Sequence, residues 1–377
     1  MGAKLHIDTA QRRARLGQRH RLAGSALAVR PVEVARSLVA IHGTDPATVF
    51  LSFAARTKGP AVADIEAALY VDKSLVRLLG MRRTMFVVPV DAAPVVHAAC
   101  TRAIAVGLRR STLQFYAAAN IADDLDAWLH DLEDATATAL GKRGEATAHE
   151  LTIDVPELKR QVLMAAGTSH EAMQGVASRI LMQLAAEGRI MRGRPRGSWI
   201  STQYRWAPID VWLPGGLAEL ETGLAQVELL RRWLTAFGPG TLVDLKWWTG
   251  LTVGEVKRAL AQLDVVEVDL DGGPGVVLAE DLEPVPSLEP WVTLFPALDT
   301  SPMAFSERAW FLGDHGPKIF DRSGNIGPTV WSNGRIVGGW AQRKNGTSAY
   351  TLFEVIGHEA EEAIGSKAHS LAAWLGS

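Results

Sequence analysis

The sequence is poor in cysteine and lacks long apolar runs, and each absence excludes a class of protein. Cys100 is the single cysteine among 377 residues, which excludes an intramolecular disulfide and a zinc or iron–sulfur site built from cysteine pairs. Charged residues interrupt every apolar stretch before it reaches the length that a bilayer requires. The first residues also lack the apolar segment of an export signal, which predicts a cytoplasmic protein without a membrane partner.

Common motifs of metal and nucleotide chemistry are missing as well. The sequence has no glycine-rich phosphate loop, no HExxH zinc motif and no G-x-S-x-G nucleophile turn. We therefore expect no metal, no nucleotide cofactor and no other cofactor. The chain is 47% hydrophobic and 21% charged, a composition typical of folded proteins, and its length predicts several modules.

The net charge of −2 conceals two strongly basic segments. Six arginines and no acid lie between Asp8 and Glu33, and five arginines and no acid lie between Glu187 and Asp210. The acids concentrate in two other runs, 123–134 and 279–284. Because local charge decides whether a surface attracts a polyanion, the basic segments favour binding of nucleic acid. Ordinary solvated faces are the alternative for either segment taken alone.

One order of elements recurs three times along the chain. Apolar spacing and capping residues predict helices, and each group of helices precedes two strand-like segments around a polar or glycine-containing turn. Helices followed by a strand pair are the order of a winged helix. The three copies occupy 1–100, which includes a basic N-terminal helix, 145–215 and 216–284.

The remaining segments follow other patterns. Segment 101–144 is predicted to be a helical spacer between the first two modules. In 285–377, short strand-like pieces such as AWFLG at 309–313 alternate with turn residues and precede a terminal helix. The predicted fold class is therefore α+β, with three tandem winged-helix motifs and a small C-terminal β-barrel.

A corner between two predicted helices is the candidate catalytic site. Segment 31–42 has the apolar spacing of a helix with Gly43 as its stop, and Asp45-Pro46 marks the start of the next helix. His42 is either a helix-terminal histidine with a structural hydrogen bond or a general base that positions water. Asp45 is expected to cap the second helix and also to aid the chemistry.

Basic residues in turns and in the N-terminal segment are the candidate DNA contacts. Arginines in the turn of a winged helix reach phosphates or the minor groove. The turn RGRPRG at 192–197 predicts such contacts, whereas a plain soluble hairpin would explain its glycines and proline but not its arginines. The candidates from these two segments are Arg12, Arg13, Arg192, Arg194 and Arg196.

Several segments resemble the AlkZ-like winged-helix DNA glycosylase family. They are LVAIHGTDPATVFLSFAART (38–57), LVRLLGMRRTMFVVP (75–89), RPRGSWISTQYRWAP (194–208), FGPGTLVDLKWWTGL (237–251), LFPALD (294–299) and IFDRSGNIGPTVWSNGRIVGGWAQR (319–343). The resemblance implies winged-helix motifs in a curved array, closed by a β-barrel, that holds double-stranded DNA in its concavity. It also implies a monofunctional DNA-repair glycosylase that hydrolyses the N-glycosidic bond of alkylated purines. We expect a monomer associated with the nucleoid.

The chain departs from this family at the catalytic motif. A Gln-x-Gln or Gln-x-Asp motif positions water in the family, and the matching positions here hold His42, Gly43 and Thr44. Hydrolysis needs a water on the sugar face opposite the leaving base and stabilisation of a cation-like sugar. In this chain His42 could accept the proton of the water, Thr44 could orient the water and Asp45 could supply negative charge.

A second departure lies in MRRT at 81–84. Arg83 stands where the family more usually has glycine, so Arg82 and Arg83 are added to the expected phosphate contacts. Two alternative functions remain open. One is a non-catalytic winged-helix DNA-binding protein, regulatory or lesion-sensing, which has the fold without the glutamines. The other is a scaffold whose winged helices bind protein.

Overall fold

The computed structural model describes residues 4–164 and 172–376, which form short helices and small sheets. The strands are β1 (His6–Ile7), β2 (Ile41–His42), β3 (Leu75–Gly80), β4 (Thr84–Pro89), β5 (Ala146–Thr147), β6 (Gln161–Met164), β7 (Ala172–Gly175), β8 (Ile190–Pro195), β9 (Tyr204–Pro208), β10 (Val265–Leu270), β11 (Gly273–Leu278), β12 (Val292–Phe295), β13 (Thr329–Ser332), β14 (Arg335–Gln342) and β15 (Ser348–Leu352).

Within the described residues, sixteen α-helices connect these strands, and α4 and α5 each continue into a π-helical turn. The helices are α1 (Thr9–Arg19), α2 (Pro31–Ser37), α3 (Pro46–Ala54), α4 (Val62–Glu66), α5 (Ala93–Val96), α6 (Arg102–Ala118), α7 (Leu125–Arg143), α8 (Ala148–Asp154), α9 (Val176–Ala186), α10 (Thr222–Phe237), α11 (Leu242–Thr249), α12 (Val253–Leu260), α13 (Thr300–Met303), α14 (Ala309–Leu312), α15 (Gly316–Ile319) and α16 (His358–Leu375). Within the described ranges, none of these helices has the length and hydropathy needed to cross a membrane.

Three sheets repeat one arrangement, in which an antiparallel hairpin gains a short third strand. Their strand orders are β2-β4-β3, β5-β9-β8 and β1-β10-β11. The predicted strand pairs are therefore confirmed. The third strand of the last sheet comes from the N-terminus, because β1 pairs in parallel with β10. The first strand of the chain thus lies in the sheet of segment 216–284, although the sequence analysis assigned it to segment 1–100.

Strands in the C-terminal segment form an open antiparallel sheet, so the β-barrel expected there is wrong for described residues 285–376. The strand order is β12-β13-β14-β15, with β12 and β15 at the two edges. Four strands are too few to close a barrel, and α16 covers the apolar face instead, with Ile364 and Ala368 in the same core as Val330 and Val337. AWFLG, expected as a strand, forms the short helix α14.

Helices α6 and α7 belong to the core of the segment that follows them. Tyr116 of α6 and Leu129 and Leu140 of α7 are buried in one cluster with Leu151 and Ile180. The helices predicted for 101–144 are confirmed, and their apolar faces pack against α9 and the β5-β9-β8 sheet. This region therefore contributes to a packed core instead of separating two modules.

The helix expected over 31–42 is wrong in its second half. Helix α2 ends at Ser37, and Val39 adopts the left-handed conformation with a φ of 63°. His42 then pairs with Phe86 across the sheet and Ile41 pairs with Val87. Tertiary strand pairing overrides the helical spacing here, so His42 ends a short strand and does not lie at the C-terminus of a helix. The predicted start of α3, capped by Asp45, is confirmed.

A fully buried ion pair joins α3 to the C-terminal segment. The guanidinium of Arg56 donates to both carboxylate oxygens of Asp299 at 2.6 and 2.8 Å, and neither side chain is exposed. Ser52 donates a further hydrogen bond to Asp299 at 2.8 Å. The Arg56 guanidinium carbon also lies 4.4 Å from the ring centroid of Phe295. Two of the family-like segments, 38–57 and 294–299, therefore meet inside the protein.

We predict that Asp299→Ala lowers the free energy of unfolding by about 3–5 kcal/mol, because it leaves the Arg56 guanidinium buried without its carboxylate. Urea denaturation followed by tryptophan fluorescence measures the change. The double variant Arg56→Met, Asp299→Leu should be less destabilised than Asp299→Ala, since it removes both charges. Arg36→Ala, which breaks an exposed ion pair with Asp91, should cost at most about 1 kcal/mol. Equal losses in Asp299→Ala and Arg36→Ala would contradict this assignment.

Candidate active site and DNA-binding surface

Backbone hydrogen bonds fix the corner that follows β2. The N–H of His42 donates to Thr300 Oγ1 at 3.1 Å, and the Thr300 hydroxyl donates to the carbonyl of Ala40 at 3.0 Å. The N–H of Gly43 donates to the carbonyl of Met85 at 2.7 Å. A Cβ at Gly43 would lie 3.1–3.3 Å from backbone atoms of β4, so this close approach favours glycine. The corner is thus held between β4 and the segment that begins α13.

The imidazole of His42 is buried and neutral near pH 7. His42 is 8% exposed, and its Nδ1 is buried without a hydrogen-bond partner in the described residues. Burial, followed by the positive charge of Arg82, lowers the pKa of His42 to about 4, although Asp299 and Asp45 act in the opposite direction. A neutral imidazole has one donor and one acceptor nitrogen, so the enclosed Nδ1 is a hydrogen-bonding group that the fold leaves unused.

Thr44 and Asp45 follow His42 in the chain but have different surroundings. Thr44 is exposed to solvent. The half-buried carboxylate of Asp45 accepts hydrogen bonds from the N–H groups of Ala47 and Thr48 at 3.3 Å each and from the Thr48 hydroxyl at 3.0 Å. Asp45 therefore caps α3, as its sequence context predicts, and its charge lies close enough to His42 to affect that side chain.

The turn between β3 and β4 brings Arg82 and Arg83 to the surface near His42. Both residues have left-handed backbone conformations, with φ values of 54° and 60°. The guanidinium carbon of Arg82 lies 3.8 Å from the ring centroid of the half-buried Trp247. Burial against this ring and the nearby charge of Arg308 lower the pKa of Arg82 to about 10. No local pattern in the sequence connects Trp247 or Arg308 with this turn.

Of the three arginines at 192–197 in the β8–β9 hairpin, one packs on the sheet and two are exposed. Arg192 is half-buried, and its guanidinium carbon lies 5.1 Å from the ring centroid of Tyr204. Arg194 is exposed and lies 3.9 Å from a carboxylate oxygen of Glu66. Arg196 is exposed and has no ion pair within the described ranges. The hairpin thus presents Arg194 and Arg196 to solvent, whereas Arg192 packs on its own sheet.

The N-terminal helix directs two of the predicted DNA contacts into the protein. Arg12 is 7% exposed, and its guanidinium carbon lies 4.2 Å from the ring centroid of Trp310. Arg13 donates two hydrogen bonds to the backbone carbonyl of Trp310. The charged group of Arg12, predicted to contact DNA, is enclosed by the aromatic rings of Phe305 and Trp310 in this structure. Arg13 is half-buried and is likewise engaged within the fold.

Metal ligands are not clustered in the part of the chain that the structure describes. No group of three or more histidine, cysteine, aspartate or glutamate side chains there is placed to hold a metal ion. Cys100 is buried, and burial raises its pKa to about 12, so its thiol is a poor nucleophile. The polar groups around His42 therefore come from a strand end, a helix cap and a basic turn.

Comparison with known proteins identifies the family. Residues 35–374 match the family described as DNA glycosylase AlkZ-like. The fold is similar to that of the DNA glycosylase AlkZ from Streptomyces sahachiroi, with a TM-score of 0.76 and 19% identity over 99% of this chain and 98% of that chain. A comparison with curated proteins found no match. Because the family match spans most of the sequence, the expected relationship is confirmed: the chain belongs to the AlkZ-like DNA glycosylase family.

Proposed function

We propose that this DNA glycosylase removes alkylated purines from double-stranded DNA, with His42 as the residue that positions the attacking water. The observation that carries the proposal is the buried, neutral imidazole of His42, which lies where the resemblance places the catalytic motif and has a nitrogen without a partner in the described residues. Family membership disfavours the non-catalytic alternative.

The surroundings of His42 suit hydrolysis of a bond that already breaks readily. An alkylated purine carries positive charge and leaves easily, so modest stabilisation of water and sugar is sufficient. A pKa of about 4 makes His42 a weak base, and its role is therefore to orient the water more than to remove its proton. We assign the Thr44 hydroxyl to the same water. The carboxylate of Asp45 contributes negative charge opposite the cation-like sugar.

The three hairpin sheets support the prediction of winged-helix motifs. Each combines an antiparallel strand pair with a short third strand and neighbouring helices, which is the composition of that motif. We propose that these modules form a curved array around the duplex, with Arg82, Arg83, Arg194 and Arg196 against phosphates. The proposed units are 1–100, 101–144, 145–215, 216–284 and 285–377, with 101–144 packed on the core of 145–215 and β1 added to the sheet of 216–284. We further propose a monomer that acts on nucleoid DNA without a cofactor.

We predict that His42→Ala slows release of N7-methylguanine from duplex DNA by at least about a hundredfold, because the water loses the group that holds it. Affinity for an undamaged duplex should stay within about twofold of the original value, since the imidazole is buried and carries no charge to attract a phosphate. Chromatography of the free base and fluorescence anisotropy of labelled DNA measure the two quantities. Thr44→Val should slow release by about tenfold, the effect of one hydrogen bond.

His130 provides the matched control for this substitution. It is exposed on α7, and its ring lies 3.0 Å from the backbone carbonyl of Asp126 in its own helix. His130→Ala should therefore leave the rate of base release unchanged. Equal rates for His42→Ala and the original protein, at saturating enzyme and across several alkylated bases, would exclude His42 from the reaction.

We predict that His42 remains neutral until the pH falls to about 4, because its environment disfavours the imidazolium. Between this value and the ordinary imidazole pKa of 6.5 the unfolded chain binds a proton that the folded chain does not. The contribution of His42 to the free energy of unfolding is therefore largest above about pH 6.5, and it decreases as the pH falls toward 4. NMR of labelled histidines measures the titration, and the resonance absent from His42→Gln identifies the ring.

Buried His20 has a lowered pKa as well, so only the difference between the original protein and His42→Gln is diagnostic. His42→Gln should show a weaker loss of stability between pH 6.5 and pH 4. A His42 resonance that titrates near pH 6.5 would contradict the buried, neutral state.

A further inference from the structure

Two arginines from distant parts of the chain lie against one tryptophan beside the candidate active site. The guanidinium carbon of Arg82 is 3.8 Å from the ring centroid of Trp247, and that of Arg308 is 4.8 Å from the same centroid. Arg308 also lies 4.6 Å from the ring centroid of Phe320. We call Arg82, Trp247 and Arg308 the arginine–tryptophan cluster. Such contacts orient a cation while its polar edge remains free to bind an anion.

Hydrogen bonds fix the segment that carries Arg308 to the helix that carries Trp247. The carboxylate of Asp244, one turn before Trp247 on α11, accepts hydrogen bonds from the N–H groups of Ser306 and Glu307 at 2.7 and 2.9 Å. Arg308 Nε donates to the carbonyl of Phe305 at 2.7 Å. Asp244 is fully buried, so the carboxylate that accepts these bonds is shielded from water. The position of Arg308 beside the indole is thus set by the fold.

Close packing also fixes Arg82 on the other side of the cluster. A Cβ at Gly250 would lie 3.2 Å from Arg82 Cγ, so the residue that ends α11 leaves just enough room for this side chain. Gly250 has a φ of 75°, which its left-handed C-terminal position requires. The turn that carries Arg82 is therefore fitted against the end of α11.

The two charges of the cluster are only partly balanced by acids, since the buried carboxylate of Asp244 acts on Arg308 and no acid among the described residues acts on Arg82. Within the described residues, neither Arg82 nor Arg308 forms an ion pair, whereas the buried Arg56 is paired with Asp299. Burial lowers the pKa of both Arg82 and Arg308, and the positive charge of Arg308 lowers the pKa of Arg82 further. Two partly desolvated cations held near one ring repel each other, and an anion between or beside them would remove that repulsion.

We propose that Arg82 and Arg308 form a phosphate clamp that holds the backbone of one DNA strand beside His42, with Trp247 as their shared support. The inference rests on the proposed function and names a binding subsite within it. Aromatic contacts connect the cluster to the corner, because Phe86 contacts both His42 and Trp248 at centroid distances of 5.8 and 6.4 Å. Trp247 precedes Trp248 in α11, so adjacent residues of one helix connect the cluster with the corner.

The geometry favours a phosphate over a nucleobase as the bound group. Arg82 already covers the Trp247 ring at stacking distance, so that face offers no platform for a base. Both guanidinium carbons lie against one ring and are within about 9 Å of each other, which suits one phosphate or two consecutive phosphates of a strand. Phosphate binding would also neutralise two cations that otherwise oppose positive charge on the nearby sugar.

Single methylphosphonates test the clamp, because each removes the charge of one phosphate. The probe is a duplex that contains a tetrahydrofuran abasic analogue and one methylphosphonate at a time around it, and the readout is the dissociation constant. For the original protein we expect an affinity loss on the order of tenfold at one position or two adjacent positions. Arg308→Ala should bind the unmodified duplex correspondingly weakly and lose sensitivity at those positions only.

Arg258→Ala is the matched control, because Arg258 is exposed on α12 and forms no ion pair within the described residues. It should retain the full position-dependent loss. Arg308→Gln and thermal unfolding verify that the effect does not come from misfolding. The slope of log affinity against log salt should decrease in magnitude by about 1 for each arginine removed from the clamp.

Position-dependent losses that persist unchanged in folded Arg82→Ala and Arg308→Ala variants would overturn the proposal. The probe contains no base to release, so this result is independent of catalysis. Failure of the proposed glycosylase activity would instead appear as absence of free base from alkylated DNA, with the methylphosphonate pattern intact.

Discussion

The geometry of the candidate site depends on three consecutive buried residues, Asp299, Thr300 and Ser301. Asp299 pairs with Arg56, Thr300 bridges the carbonyl of Ala40 and the N–H of His42, and Ser301 connects Arg56 to His20. A buried charge is tolerated only when its partner and remaining hydrogen bonds are in place, so this network admits one arrangement. The end of β2, which carries His42, is consequently positioned by a segment that lies far away in sequence.

The same network determines the protonation of the histidines near it. His20 lies 3.2 Å from the carbonyl of Ala236 and 2.7 Å from the Ser301 hydroxyl, so its Nε2 donates while its Nδ1 accepts, and the ring is neutral. Burial and the adjacent Arg56 lower its pKa. His42 is kept neutral in a related way, by burial and Arg82. Burial, together with cations that are fixed by the fold, thus keeps both rings neutral.

Local signals predicted the hairpins and the capped start of α3, because turn residues and Asp45-Pro46 act within a few positions of the chain. They failed where distant segments decide the outcome. Residues 38–42 follow a helical pattern, yet pairing with β4 makes Ile41 and His42 a strand. The basic segment predicts that Arg12 contacts DNA, yet its guanidinium packs against Trp310. The arginine–tryptophan cluster could not be predicted from the sequence either, because Trp247 and Arg308 are far apart in the chain and meet only in the folded protein.

Burial also explains how histidine can occupy a position where the resemblance places glutamine. A glutamine amide offers one acceptor oxygen and donor N–H groups without a charge, and a neutral imidazole offers one acceptor nitrogen and one donor. An exposed histidine would gain charge in mild acid and repel a cation-like sugar. Because the pKa of His42 is lowered to about 4, its ring stays uncharged near neutral pH, and in the proposed role it would hold water as an amide does.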